Sequence, residues 1–344
     1  MRFAGRERLA GLDTGLLVSS PAASELAPRL TPGATGEPRA VERELSFRSS
    51  GTTLRGTLTL PADGAIGRRP AVLLIVGSGP LDRDSNHRRL RLEISRALAE
   101  SLAREGIASL RYDKRGVGAS GGGDWREVGF WDGVQDARAA LEALGAQPEI
   151  DAERIAVAGH SEGALIATAL AGRGAPVHGV VLLAGSAVPG QDVLEWQARS
   201  IVATLPATVR RLLRLLRIDP VAKTLANQAR VRATSTPVSR IGGVRVNTGW
   251  MREFMDYDPA QDLARVDVPL LAITGDKDLQ VNPDDLSIIH DTVTGSETIR
   301  LTDLTHTMRR QIGRPSLSAY RSEVREPVDP ALLTHVVGWI HRLP

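Results

Sequence analysis

Gly159-His160-Ser161-Glu162-Gly163 lies between a strand-like run, Arg154-Ile155-Ala156-Val157-Ala158, and a run of helix formers, Ala164-Leu165-Ile166-Ala167-Thr168-Ala169-Leu170-Ala171. Strand, sharp turn and helix form the setting in which a G-x-S-x-G serine is presented as a nucleophile. The turn brings two backbones close together, and glycine at 159 and 163 removes the Cβ atoms that would collide. The helix that starts behind Ser161 aims backbone N–H groups at any oxyanion formed there. Without that context the pentapeptide is a serine in a glycine-rich turn. The flanking strand and helix decide for the nucleophile.

Outward from this stretch the chain alternates. Residues 70–76 are continuously apolar, as a strand buried on both faces should be. Leu90, Ile94, Leu98 and Leu102 recur at helical spacing, which predicts a helix over 90–103 closed by Gly106 and followed by a strand from Ile107. Further helices are predicted over 134–144 and 162–171, and strands over 154–158 and 177–184. Repeated β-α-β units with apolar strands imply an α/β, doubly wound, mostly parallel sheet. Residues 41–60 alternate in strand fashion around Ser49-Ser50-Gly51 and predict an opening antiparallel hairpin.

The alternation stops after Gly185. Residues 188–265 carry helical stretches over 194–205, 209–218 and 221–232, then a Thr/Ser/Pro/Gly-rich portion over 234–248, and are read as an inserted helical cap. The run Arg210-Arg211-Leu212-Leu213-Arg214-Leu215-Leu216-Arg217 is read as a cap helix burying its leucines in preference to a membrane-surface helix. The core resumes with strands over 269–274 and 298–301 and a closing helix over 330–341. Residues 1–40, with Pro, Gly, Ser and Thr frequent, read as a flexible arm.

Composition narrows the chemistry. The 344 residues contain no cysteine, which removes disulfides, thiolate catalysis and cysteine metal sites, and the seven histidines form no metal-ligating pattern. No metal or cofactor is expected. Lys and Arg number 43 against 40 Asp and Glu, and only 3% of residues are aromatic, so no stacking platform for nucleic acid is present. No run approaches the roughly 18 apolar residues of a membrane span, so stable membrane insertion is not expected and a cytoplasmic protein is.

A serine hydroxyl attacks only when an imidazole takes its proton and an acid orients that imidazole. Gly275-Asp276-Lys277-Asp278-Leu279-Gln280-Val281 follows the strand at 269–274, and Asp303-Leu304-Thr305-His306 follows the strand at 298–301. Both are loops beyond strand carboxyl ends, on the rim that carries the serine. Asp278 is assigned as the acid and His306 as the base. Asp276 is the alternative acid; the G-x-x-D-x-x-V spacing favours Asp278 and leaves Asp276 to brace the loop. His160 is expected to point to the far side of the turn and pack, and Asp113 to pair with Arg115.

Taken together, the motifs resemble those of the α/β-hydrolase fold superfamily. They are Gly77-Ser78-Gly79-Pro80, Tyr112-Asp113-Lys114-Arg115-Gly116-Val117-Gly118-Ala119-Ser120, the 159–163 pentapeptide, the 275–281 loop and His306. More narrowly the chain is similar to EstD-type bacterial carboxylesterases. The stretches that carry this are Gly77-Ser78-Gly79-Pro80-Leu81-Asp82-Arg83-Asp84, Phe254-Met255-Asp256-Tyr257-Asp258-Pro259, and Gly313-Arg314-Pro315 with Tyr320. The resemblance covers residues 41–344. Val76 stands where many relatives have histidine, and Thr305 where asparagine often precedes the catalytic histidine.

The resemblance implies an α/β-hydrolase core, residues 41–187 and 266–344, with the cap at 188–265. The turn makes the Glu162 N–H one oxyanion donor, and the resemblance places the second at Ser78. Trp196, Trp250 and Phe254 of the cap are expected to line an acyl pocket. The implied activity is hydrolysis of small-molecule carboxylic esters through an acyl-enzyme. An acyl thioesterase or a small peptidase or amidase of the same fold is the alternative, and a non-catalytic scaffold is the reading from another class.

Overall fold

The computed structural model describes residues 40–63 and 67–344. The expectation of an arm at the N-terminus concerns residues 1–39, which lie outside the described residues; Ala40 already belongs to the first strand.

A hairpin of β1 (Ala40–Ser49) and β2 (Thr52–Pro61) opens the described residues and leads to β3 (Arg69–Ile75). A small ribbon of β4 (Asn86–His87) and β5 (Leu90–Arg91) precedes α1 (Ile94–Arg104). Then come β6 (Ala108–Tyr112), α2 (Phe130–Gly145), β7 (Ile150–His160), α3 (Glu162–Gly172) and β8 (Gly179–Leu183). Among the described residues these strands join β11 (Leu270–Gly275) and β12 (Glu297–Leu301) in one eight-stranded sheet of order β1-β2-β6-β3-β7-β8-β11-β12. β6, β3, β7, β8, β11 and β12 are parallel neighbours, while β2 is antiparallel to both β1 and β6. The carboxyl ends of the parallel strands therefore share one rim.

Side-chain alternation along the strands builds a core on each face. Leu73, Leu110, Val157, Leu182 and Ala272 pack with α2 and α3 on one face. Their neighbours Val72, Leu74, Ala156, Val181 and Leu271 pack on the other with α1 and α11 (Pro330–His341). Burial on both faces is why these strands read as continuous apolar runs.

The helix expected over 90–103 starts later. Glu93 adopts φ 52°, and its N–H donates to the Asn86 Oδ1 at 3.1 Å, which ends the ribbon and starts α1 at Ile94. Leu90 lies in β5, so its helical phase with Ile94 has no structural meaning.

Between β8 and β11 run α4 (Gly190–Thr204), α5 (Ala207–Leu215), α6 (Pro220–Arg232), a hairpin of β9 (Val238–Ile241) and β10 (Val244–Asn247), α7 (Thr248–Asp256) and α8 (Pro259–Leu263). After β11 come α9 (Asp285–Thr292) and, after β12, α10 (Tyr320–Glu323). The hairpin lies within the Thr/Ser/Pro/Gly-rich portion over 234–248. Its signal is Gly242-Gly243, both at positive φ, between alternating apolar residues. Three helices, α6, α8 and α11, begin with one device: Asp219, Asp258 and Asp329 each cap with the carboxylate, and proline occupies the first turn.

The expectation that α5 buries its leucines is overturned. Leu213 is its one buried residue, while Leu215 is 80% exposed and Leu212 and Leu216 are exposed beside it. At about 100° per residue Leu212, Leu213, Leu215 and Leu216 share one face opposite the arginines, and only the Leu213 edge of that face meets the rest of the fold.

Candidate active site

Ser161 stands at the junction of β7 and α3 with φ 58° and ψ −118°, a conformation that few non-glycine residues adopt. The neighbouring glycines are obligatory on steric grounds. A Cβ at Gly159 would lie 2.0 Å from the Gly163 carbonyl oxygen, and one at Gly163 would lie 2.2 Å from the Ile75 carbonyl oxygen. Helix α3 thereby starts directly against the end of β3. The loop after β3 rests on the same turn, since a Cβ at Gly77 would meet the Ser161 Cβ and the His160 carbonyl oxygen at 3.3 Å.

Two loops further along the rim, Asp278 and His306 are joined. His306 Nδ1–H donates to Asp278 Oδ2 at 2.8 Å, with both side chains buried. The other carboxylate oxygen, Oδ1, accepts from the Gln280 N–H at 2.7 Å and the Val281 N–H at 2.9 Å. All of the carboxylate's strong contacts are thus occupied in holding one orientation. Asp276 turns elsewhere, accepting the Asp303 N–H at 2.7 Å and so tying the two loops together.

His160 packs, as expected, and its partner is the His306 loop. It continues the even-numbered face of β7, the face of Ala156 and Ala158, and that face carries the His306 loop. Its ring lies 4.8 Å from the His306 ring, and its Nε2–H donates to the His306 carbonyl oxygen at 3.0 Å. Burial, with the His306 ring next, holds its pKa well below the usual histidine range, which keeps it a neutral donor. Residue 306 is therefore moored to the residue preceding Ser161. Among the described contacts there is no direct Ser161–His306 hydrogen bond; such bonds commonly tighten only with substrate bound.

A cleft of about 660 Å³ opens over Ser161, lined by Ser78, Glu162, Leu165, Leu194, Gln197, Trp250 and Phe254 among others. Trp250 and Phe254 stack in parallel at 4.8 Å, forming one wall. Trp196 is absent from the lining. On α4 the residues that face the cleft are Val193, Leu194 and Gln197, and at 3.6 residues per turn Trp196 sits roughly 100° around the helix from their centre. Neither the Ser78 nor the Glu162 N–H is taken up by the backbone hydrogen-bond network of the described residues.

From the sequence Glu162 is expected to act through its backbone N–H alone. Its side chain, 4% exposed, receives Lys114 Nζ at 2.8 Å on Oε2, and the Trp250 Nε1–H donates to Oε1. A second cleft, also about 660 Å³, lies beyond this contact and shares Glu162 and Trp250 with the first. The expected Asp113–Arg115 pair does not form. Asp113 is taken by Arg83 at 2.8 Å and by the Ala119 N–H at 2.9 Å, while Arg115 bonds Asp136 of α2 at 2.7 Å. Among the described residues no group of His, Asp and Glu is arranged to hold a metal ion, and no helix is long and apolar enough to cross a membrane.

Known proteins resemble the chain in sequence and in fold. A family model described as serine aminopeptidase, S33, matches residues 92–308. The esterase EstD of Thermotoga maritima is 28% identical over 295 residues, which are 83% of this chain and 65% of that protein. The chain thus spans just under two thirds of the length of this curated relative. Among solved structures, the α/β hydrolase GrgF from Penicillium sp. sh18 superposes with a TM-score of 0.58 at 17% identity, covering 88% of this chain and 98% of that one. Est1E from Butyrivibrio proteoclasticus does so with a TM-score of 0.55 at 15% identity, covering 87% and 99%. At such identities the structures speak for the fold, which is that of the α/β hydrolases.

Proposed function

The chain belongs to the serine aminopeptidase S33 family of α/β hydrolases, and from that premise we propose that it hydrolyses carboxylic esters through a Ser161 acyl-enzyme. In this reading Ser161 Oγ attacks the ester carbonyl while His306 Nε2 takes its proton. Asp278 holds the Nδ1–H tautomer and stabilises the imidazolium that forms. The tetrahedral oxyanion lies between the N–H groups of Ser78 and Glu162. Collapse expels the alcohol, which receives the proton from His306, and a water activated by the same imidazole releases the acid. The segment 188–265 acts as the cap, with Trp250 and Phe254 as the acyl wall. The proposed reaction uses neither metal nor cofactor, and the location proposed with it is the cytoplasm.

The observation that favours esters over aminopeptides is the state of Glu162. An aminopeptidase has to bind the free α-ammonium of its substrate, for which a carboxylate is the natural partner. Among the described residues Glu162 is the one carboxylate lining the cleft over Ser161, and Lys114 and Trp250 already occupy it. What remains carries no free charge, and Leu165, Leu194, Trp250, Met251 and Phe254 wall it in a way that suits an uncharged acyl chain. Ser161→Ala is expected to abolish both hydrolysis of p-nitrophenyl butyrate and labelling by a fluorophosphonate, in a protein that still folds. Labelling retained at another serine would sink the reading.

A further inference from the structure

Lys114 stands at the carboxyl end of β6, the Gly77–Ser78 loop at the end of β3 and Glu162 beyond the end of β7, and these three strands are adjacent in the sheet. The lysine side chain spans all three. Its Nζ donates to the Gly77 carbonyl oxygen at 3.1 Å and to Glu162 Oε2 at 2.8 Å. From this we propose that Lys114 is a positioning residue that aligns both donors of the oxyanion hole. The inference rests on the reading above that Ser78 and Glu162 supply those donors.

The Gly77 carbonyl and the Ser78 N–H belong to one peptide plane, and among the described residues no peptide bond is cis. In a planar trans peptide the C=O and N–H point in opposite directions. A cation that holds the Gly77 oxygen therefore fixes the Ser78 N–H on the opposite side, and it polarises the amide into a stronger donor. The second contact acts on the other donor. Glu162 contributes the N–H that follows the nucleophile, and its buried carboxylate lies close to where negative charge develops. Lys114 offsets that carboxylate, so it does not repel the oxyanion. The Trp250 Nε1–H on Oε1 closes the arrangement and links it to the segment over the cleft.

This role predicts a specific kinetic pattern. Alignment of donors matters where the oxyanion exists, in the transition state, and hardly at all for binding an uncharged ester. Lys114→Met is expected to lower kcat for p-nitrophenyl butyrate by about ten- to a hundred-fold, with KM changed by less than about two-fold. Affinity for butaneboronic acid, whose adduct with Ser161 is tetrahedral and anionic, should fall in proportion to kcat/KM. The single variant leaves a buried carboxylate unpaired and is the one most exposed to misfolding. Lys114→Met/Glu162→Gln removes that charge and keeps a group for Trp250, so it supplies the decisive measurement if the single variant does not fold. The double variant should remain at least about ten-fold slow, because the Gly77 carbonyl is still unheld. A folded double variant with wild-type kcat, or a loss that appears in KM while boronate affinity is unchanged, would overturn the proposal. Those outcomes leave Ser161→Ala inactive. Hydrolysis that survives Ser161→Ala would instead remove the site on which the inference rests.

Discussion

Asp276 and Asp278 share one loop, yet their carboxylates do different work. Asp278 accepts from His306 on one oxygen and from two backbone N–H groups on the other, whereas Asp276 accepts from Asp303 across the neighbouring loop. If orientation of the imidazole limits the reaction, Asp278→Asn should cut kcat by roughly 10⁴-fold, because an amide in that place selects the wrong tautomer. Asp276→Asn should act on thermal stability and change kcat little. Steady-state kinetics of the two variants decide it, and the reverse ranking would pass the role to Asp276. A second residue, Asp82, makes a pH prediction. Burial, partly offset by the Asn86 N–H, raises its pKa from 3.8 to about 6. Since the folded value is the higher one, the folded state binds more protons between the two values. The group's stabilising contribution is complete below about pH 4 and is lost as pH rises through 6. Asp82→Asn keeps an oxygen for the Asp84 and Asn86 N–H groups and removes the titration. Urea unfolding should find the variant gaining on the wild type between pH 4 and 7 by at most about 3 kcal/mol; a difference that does not change with pH would refute the assignment.

At the scale of elements, the rim is shaped by which side of each helix faces Ser161. On α7, Trp250, Met251 and Phe254 turn toward the cleft, and on α4 Val193, Leu194 and Gln197 do so, with Trp196 turned away. Acyl length should respond accordingly. Phe254→Ala lengthens the pocket and is expected to raise kcat/KM for octanoyl over butyryl esters by about ten-fold or more, since each added methylene that finds apolar contact is worth about 1–3 kcal/mol. Trp196→Ala should leave the chain-length profile as it is. A p-nitrophenyl ester series measures both, and equal shifts in the two variants would mean that helix phase does not govern the pocket.

Across the whole molecule, burial is unevenly shared. Every residue of α3 is buried between the sheet and α8, whereas α5 buries Leu213 alone. Local opening costs least where few apolar contacts are lost. Hydrogen exchange followed by mass spectrometry should therefore show α5 amides exchanging orders of magnitude faster than those of α3. Protection in α5 equal to that in α3 would show that its exposed leucines are covered in solution. Most of the sheet was legible in advance for the complementary reason. Strands buried on both faces have to be continuously apolar, and helices between them have to repeat near every fourth residue, so the one-dimensional pattern carries the alternation.

The amino-acid sequence by itself determined the parts that depend on local chemistry. These are the alternating strands and helices, the glycines without which the turn at Ser161 could not close, the Asp-Pro helix starts, and the loop spacing that lets backbone N–H groups at 280 and 281 grip Asp278. The tertiary structure alone decided which distant groups meet. His160 against the His306 carbonyl, Arg115 with Asp136 in place of Asp113, and Lys114 spanning Gly77 and Glu162 all join residues that different strands and helices carry or lead into. No spacing rule reaches such pairs. A buried donor or charge takes whichever partner the strand order brings within about 3 Å, and strand order is a property of the folded sheet.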